Sequence, residues 1–341
     1  MSPLEKGIRS LDGFQQRHAA PAVLVAVVKK FGDDRGGTLA TSLAYSAFVA
    51  VFPLLLLCVT LLGFVLGQSR DAEEAVLRSA LVEFPIVGDQ LVRSLRPLRA
   101  SGLALAVGLG GLLWGGFGVT QAAQHAMAEV WNVPGVRRPN FARRMSRSFA
   151  VLGIGGVGLL ATSALASVST FSGEWSPGRL VAVAASVALN VVLLGAAFRI
   201  TTPRTIASRH LVPGVVLGAV AWTALQALGG WFVGHQLRNT TEIYGFFATV
   251  LGLMSWVFLG ARIVLYAAEV NVVLTRRLWP RSIVQPPLTE ADKRTLAAIA
   301  QQEERRPEQL VEVTFDDNVE NTDDADDATD ATDDGAVPTA D

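Results

Sequence analysis

Residues 39–67 read LATSLAYSAFVAVFPLLLLCVTLLGFVLG and carry no charged side chain. A helix needs about 20 apolar residues to cross the hydrocarbon core of a bilayer, and this run exceeds that. Lipid offers no hydrogen bonds, so every backbone N–H and C=O in such a run must be satisfied along the segment itself. The run is therefore read as a transmembrane helix. Pro53 has no N–H to donate and predicts a kink within it.

Five more apolar segments follow, at 101–124, 149–171, 179–200, 211–234 and 244–274. Together they predict an all-α, polytopic integral membrane protein with six transmembrane helices over residues 38–275. Composition agrees. Of 341 residues, 50% are hydrophobic and 17% charged, against about 25% charged in ordinary soluble proteins. A soluble domain, collagen, coiled coil and whole-chain disorder are thereby excluded. Cys58 is the one cysteine, so no disulfide framework forms within the chain.

The ends differ in charge. The formal net charge of −1 conceals an acidic stretch from Glu312 to Asp341 with no Lys or Arg. That stretch has almost no large apolar residues, so 311–341 is expected to be a disordered tail. Residues 1–37 are read as a cytoplasmic segment with an interfacial helix over Ala19 to Val28, too short to span and closed by Lys29 and Lys30. No A-x-A-like cleavage site follows it. Residues 276–310 form a basic cytoplasmic segment. With this arrangement 21 Lys and Arg fall on one side of the membrane and seven on the other, which puts both termini in the cytoplasm of a bacterial inner membrane. Residues 68–100 become an external loop. Leu77, Ala80, Leu81 and Phe84, then Leu91, Leu95 and Leu98, give it helical apolar stripes.

Glycine spacing hints at packing. Gly111 and Gly115, and Gly214 and Gly218, are each four apart, which lets helices approach closely. Gly153, Gly155 and Gly158 spell G-x-G-x-x-G, but inside an apolar segment and with no strand before it. Nucleotide binding needs that strand, so helix packing is the better reading.

Several motifs occur in a fixed order. Ala44-Tyr45-Ser46-Ala47-Phe48 is followed by Phe52-Pro53-Leu54-Leu55-Leu56. Ala126-Met127-Ala128-Glu129-Val130-Trp131-Asn132-Val133-Pro134 precedes an arginine-rich stretch. Ile243-Tyr244-Gly245 opens the sixth segment and Ala268-Glu269-Val270-Asn271 closes it. Over about residues 20–280 the chain resembles the YihY/BrkB family of bacterial inner-membrane proteins. Ala128 stands where that pattern has Asn, and the acidic tail is an addition. Length and helix pattern are also similar to the YhjD branch, which implies a link to export of lipopolysaccharide precursors. One label used in the family is ribonuclease BN.

Candidate chemistry concentrates in the sixth segment. Arg262 and Glu269 are nearly two turns apart and share a face, with Tyr266 between them. Ionisable groups within a membrane usually face a bundle interior or wet cavity. These three are candidates for a substrate path, as are Tyr45, Gln121, His125 and Asn190; the plainer reading of each is a structural pair or an interhelical hydrogen bond. Arg137, Arg138, Arg143, Arg144 and Arg147 suit topology and contact with anionic lipid headgroups. No nucleic-acid platform accompanies them, so no nucleic-acid partner is expected.

The four histidines are scattered, and no metal-ligand or nucleophile spacing appears. A nuclease needs clustered acids to hold metal ions. No metal, no cofactor and no enzymatic activity are therefore expected, ribonuclease included. The leading expectation is a transporter-like protein that binds or moves a lipid or amphiphilic anion for the cell envelope. The alternative is a non-catalytic membrane scaffold for envelope assembly. Membrane lipids are the expected partners, and a second copy of the chain or an envelope-assembly partner remains open.

Overall fold

A computed structural model describes residues 3–65, 102–170, 177–202, 206–236, 245–285 and 287–316. The loop expected at 68–100 and the acidic tail beyond Asp316 lie outside the described residues. Among the described residues the chain is all helix and irregular connection, with no strand. The α-helices are α1 Pro3–Arg17, α2 Ala19–Asp33, α3 Gly36–Val65, α4 Gly102–Val130, α5 Phe141–Thr170, α6 Pro177–Thr201, α7 Val212–Gln236, α8 Gly245–Arg276 and α9 Glu290–Gln302.

Helices α3 to α8 are each 25 to 32 residues long. Four stretches of described chain are long and apolar enough to cross a membrane: Gly36–Leu54, Val183–Thr201, Ser208–Gly229 and Val250–Arg276. The helices outrun the apolar segments because their polar ends continue the same turns. α4 runs on through Gln124 and His125 to Val130. α5 starts at Phe141, so Arg143, Arg144 and Arg147 stand on its first two turns, not in a loop. α3 remains helical through Pro53.

Contacts divide the chain into two units, Met1–Ala26 with Pro134–Val136 and Arg276–Asp341, and Val27–Val133 with Arg137–Thr275. The second unit holds the long helices. Its close approaches sit where the spaced glycines are. A Cβ on Gly111 would stand 2.8 Å from the Pro53 Cβ, and one on Gly115 would stand 2.9 Å from the Ala50 Cα. Only a hydrogen fits there, so α4 lies tightly on α3. Between α7 and α8 the backbone at Gly214 meets the Ala267 carbonyl, Gly229 seats the Trp256 ring and Gly260 seats the Trp222 ring. Gly153 and Gly155 have open space, whereas a Cβ on Gly158 would meet Leu193 of α6 at 2.7 Å.

The first unit contains two helices that hydropathy does not reveal. α1 is charged on one side, and α9 is short, with a capping box in which Thr289 and Asp292 satisfy each other's backbone N–H groups. α2 extends past the predicted Ala19 to Val28. Its residues Ala22, Ala26, Val27, Lys30 and Phe31 are buried, while Leu24 and Val28 are exposed.

Candidate functional site

The polar residues of the second unit gather where the C-terminal part of α2 meets α8. Arg262 stands at the middle of the apolar stretch Val250–Arg276. Its guanidinium lies over three aromatic rings, Phe31 at 5.7 Å and Phe258 and Tyr266 at 5.8 Å from ring centroid. Phe31 and Tyr266 stack on one another at 4.1 Å, so α2 supplies one wall and α8 the others. Among the described residues the guanidinium donates one hydrogen bond, a long one of 3.5 Å from Nη2 to the Tyr266 hydroxyl. Among the described residues no carboxylate pairs with Arg262. Arg262 is only partly buried. Aromatic faces hold a cation without neutralising it.

Two turns further along α8, Glu269 is fully buried. Its Oε2 lies 3.5 Å from the Lys30 ammonium, which is also fully buried and bonds the Asp34 carboxylate four residues on. Lys30 Nζ also donates to the Val130 carbonyl at the end of α4, over 3.0 Å. Asn132 then turns the chain with a left-handed φ of 44° and donates to Asp34 Oδ1 over 3.2 Å. Asn is among the few residues that tolerate that backbone. The Trp131-Asn132 pair therefore closes α4 and delivers an amide to this cluster.

The end of the Ala268-Glu269-Val270-Asn271 motif has a separate task. Asn271 Oδ1 accepts a 2.7 Å hydrogen bond from the Gly214 N–H in the first turn of α7. That N–H has no partner within its own helix. The side chain caps α7 from α8, at the point where Gly214 allows the two backbones to touch.

Other candidates lie elsewhere. Tyr45 is largely exposed on α3. Asn190 is buried and donates to the Thr223 hydroxyl over 3.1 Å, linking α6 to α7. Gln121 and His125 line the junction of α4 and α5. Gln121 Oε1 accepts from Arg144, Gln124 donates to the Ser148 hydroxyl, and Arg138 pairs with Glu129 at 2.7 Å beside His125. Arg138 and Arg144 thus have protein partners, whereas Arg137 and Arg143 are exposed. Sequence reasoning missed Phe31, Lys30, Asp34 and Phe258. Lys30 and Asp34 are spaced i,i+4 at the end of an apolar run, and that spacing was the available signal.

The first unit has its own buried ion pair. Arg281 Nε donates to Asp292 Oδ1 over 2.7 Å. Asp292 Oδ2 accepts from the Ser282 N–H at 3.0 Å and from Thr289. Burial alone would raise the Asp292 carboxyl, but hydrogen bonds from Ser282, Thr289 and Arg281 together hold it below the ordinary aspartate range. Asp12 of α1 behaves alike. Burial raises it, and the Ile283 N–H with Gln15 and Gln16 bring it lower. Gln15 also donates to the Arg281 carbonyl over 2.6 Å, so α1 is fastened to the segment before α9.

Among the described residues, no three His, Cys, Asp or Glu side chains group to hold a metal ion. Several known proteins are similar to this chain. A UPF0761 membrane protein of Pseudomonas paraeruginosa is 27% identical over 278 residues, which is 76% of this chain and 64% of that protein. A UPF0761 membrane protein of Pseudomonas aeruginosa strain LESB58 is 28% identical, over 74% of this chain and 62% of its own. The chain spans less than two-thirds of the length of these relatives. A protein of Bacillus subtilis named as ribonuclease-like, YfkH, is 20% identical over 71% of this chain and 91% of its own. No solved structure matches. Residues 27–289 match the family described as virulence factor BrkB. The match takes in the α2–α8 junction with its Arg262 cage and Lys30 cluster, and this chain, a membrane protein of long apolar helices, belongs to the virulence factor BrkB family.

Proposed function

We propose that this chain is a transporter-like protein of the bacterial inner membrane that binds or moves a lipid or amphiphilic anion, and that it is not an enzyme. In this reading α3 to α8 are six transmembrane helices and both termini are cytoplasmic, as the Lys and Arg bias favours. The observation that carries it is Arg262. A guanidinium halfway along a membrane-spanning stretch is costly and is kept where it meets a counter-charge or water. Here no carboxylate among the described residues pairs with it, three aromatic rings frame the cation, and the residue is only partly buried. An anionic headgroup would complete the pair, and its apolar chains would lie along the exposed side chains Leu251 and Leu259 of the same helix.

The test is mass spectrometry of the lipids that copurify in mild detergent with the wild type, Arg262→Ala and Arg262→Lys. An anionic lipid or precursor enriched over bulk membrane, lost with Ala and partly kept with Lys, is the expected result. Bulk lipids alone in all three samples, with a protein partner retained, would sink this assignment and favour the scaffold.

A further inference from the structure

Three ionisable side chains of the second unit are withdrawn from water together. Lys30 of α2 and Glu269 of α8 each have 0% side-chain exposure, and Asp34, just after α2, has 1%. The ammonium has three N–H bonds. One goes to Asp34, one goes to the Val130 carbonyl at 3.0 Å, and the nearest oxygen of Glu269 waits at 3.5 Å. The Asp34 and Glu269 carboxylates share the one Lys30 ammonium, which makes them neighbours. Neither oxygen of Glu269 accepts a hydrogen bond.

The charges do not balance. Two carboxylates face one ammonium, which leaves one negative charge in a place without water. A buried charge with no partner is among the most costly arrangements in a protein. Among the described residues no other cation forms an ion pair with either carboxylate. Arg262 stands two turns before Glu269 and pairs with neither carboxylate, and Arg138 pairs with Glu129 at 2.7 Å. α4 contributes the Val130 carbonyl and, through Asn132, an amide to Asp34. α7 contributes the Gly214 N–H, which bonds Asn271 and not Glu269. Tyr266, one turn before Glu269, stacks on Phe31. A metal cation would need the space and the oxygens that Lys30 Nζ already holds.

We propose that Lys30, Asp34 and Glu269 form a proton-binding site that holds one proton between its two carboxylates. Uptake forms an O–H bond on a carboxylate with a proton drawn from bulk water, and no other bond changes. The protonated pair then leaves a neutral cluster. Release restores the negative charge and draws Glu269 toward Lys30, so the contact of α8 with α2 differs between the two states. Phe31, the residue after Lys30, forms one wall around Arg262. Proton loading is thereby linked to the walls of that cage. The link to a moving substrate rests on the transport reading above, while the proton site stands without it.

Infrared difference spectroscopy of the full chain in lipid nanodiscs tests this with no substrate present. The expected wild-type result is a carboxylic-acid C=O band of one group per chain at neutral pH that shifts in heavy water and disappears on raising the pH. Glu269→Gln and Asp34→Asn each remove one negative charge, and either should abolish the band. Glu269→Gln has the shape of the protonated acid and is expected to fold. A wild type with no such band overturns the proposal, as does a band that survives in both variants. Loss of the band on adding sodium at fixed pH would mean a metal cation occupies the site, and would overturn it too. Loss of lipid enrichment in Arg262→Ala alongside any of these outcomes reports separately on the transport reading.

Discussion

Two buried ion clusters in this molecule are built to opposite standards. In the first unit, Asp292 meets Arg281 at 2.7 Å, the Ser282 N–H at 3.0 Å and Thr289, so both of its oxygens are satisfied. In the second unit, Glu269 has a single ammonium at 3.5 Å, shared with Asp34, and both oxygens lack a hydrogen bond. A fully satisfied cluster fixes a conformation. An unsatisfied one is tolerated where its energy is used, since strain and uncompensated charge collect at sites that must change state. The contrast separates a clamp from a switch.

The hardest blow to the contrast is Lys30→Met. It removes the sole described cation from two buried carboxylates. Removing one partner of a buried pair costs about 3–5 kcal/mol, and this loss is expected at the upper end of that range. The measurement is thermal unfolding in detergent, with Glu269→Gln alone and combined with Lys30→Met. Glu269→Gln alone should hold or raise the melting temperature, and the double variant should recover part of the loss. Additive effects would mean the two side chains do not interact.

Asp292→Ala attacks the clamp instead. It removes the buried partner of Arg281 and frees the start of α9, at a cost of about 3 kcal/mol. Faster amide hydrogen exchange should appear across residues 281–302 and leave α8 unchanged. Exchange that rises equally in α8 would mean the clamp also supports the long helices, which breaks the division between the clusters.

Much of this architecture is legible in the sequence, and the reasons for the rest are specific. The long helices show because runs such as 39–67 contain no charge, and hydropathy needs no tertiary information. The glycine pairs Gly111 with Gly115, and Gly214 with Gly218, read correctly as close approaches. α1 and α9 do not show because they are short and charged, and the contacts holding α1 come from Arg281 and Ile283, far away in sequence. The same limit hides the partner of Glu269. Lys30 looks like the basic end of a surface helix, and only the fold brings it against α8. Arg262 and Tyr266 are readable as an i,i+4 pair, whereas Phe31 on top of them is not.

Acid sharpens the comparison further. The Asp292 carboxyl lies below the ordinary aspartate range in the folded chain, so the unfolded chain binds its proton first as pH falls. Its contribution is complete above about pH 4, the unfolded value, and is lost as pH drops through the lower folded value. Protection of residues 281–302, corrected for intrinsic exchange rate, should therefore stay flat from neutral pH to about pH 4 and then fall. In Asp292→Asn that acid step should shrink to the part that Asp12 contributes through the Ile283 N–H. A step already present near neutral pH would assign the clamp to some other group.

The smallest effect supplies the reference for both clusters. Asn190 donates to the Thr223 hydroxyl over 3.1 Å, a neutral hydrogen bond between α6 and α7 with no charge to strand. Thr223 also bonds its own helix at the Ala219 carbonyl, so it keeps a partner when Asn190 is lost. Hydrogen bonds between membrane helices average about 0.6 kcal/mol, because the separated helices find other partners. Asn190→Ala should therefore shift the melting temperature only slightly, far less than Lys30→Met in the same assay. Asn190→Ala and Glu269→Gln should add without coupling, since they share no hydrogen bond. A loss from Asn190→Ala as large as that from Lys30→Met would mean buried polarity in general, and not unbalanced charge, sets the stability of this unit. The special standing of the Lys30 cluster would then go with it.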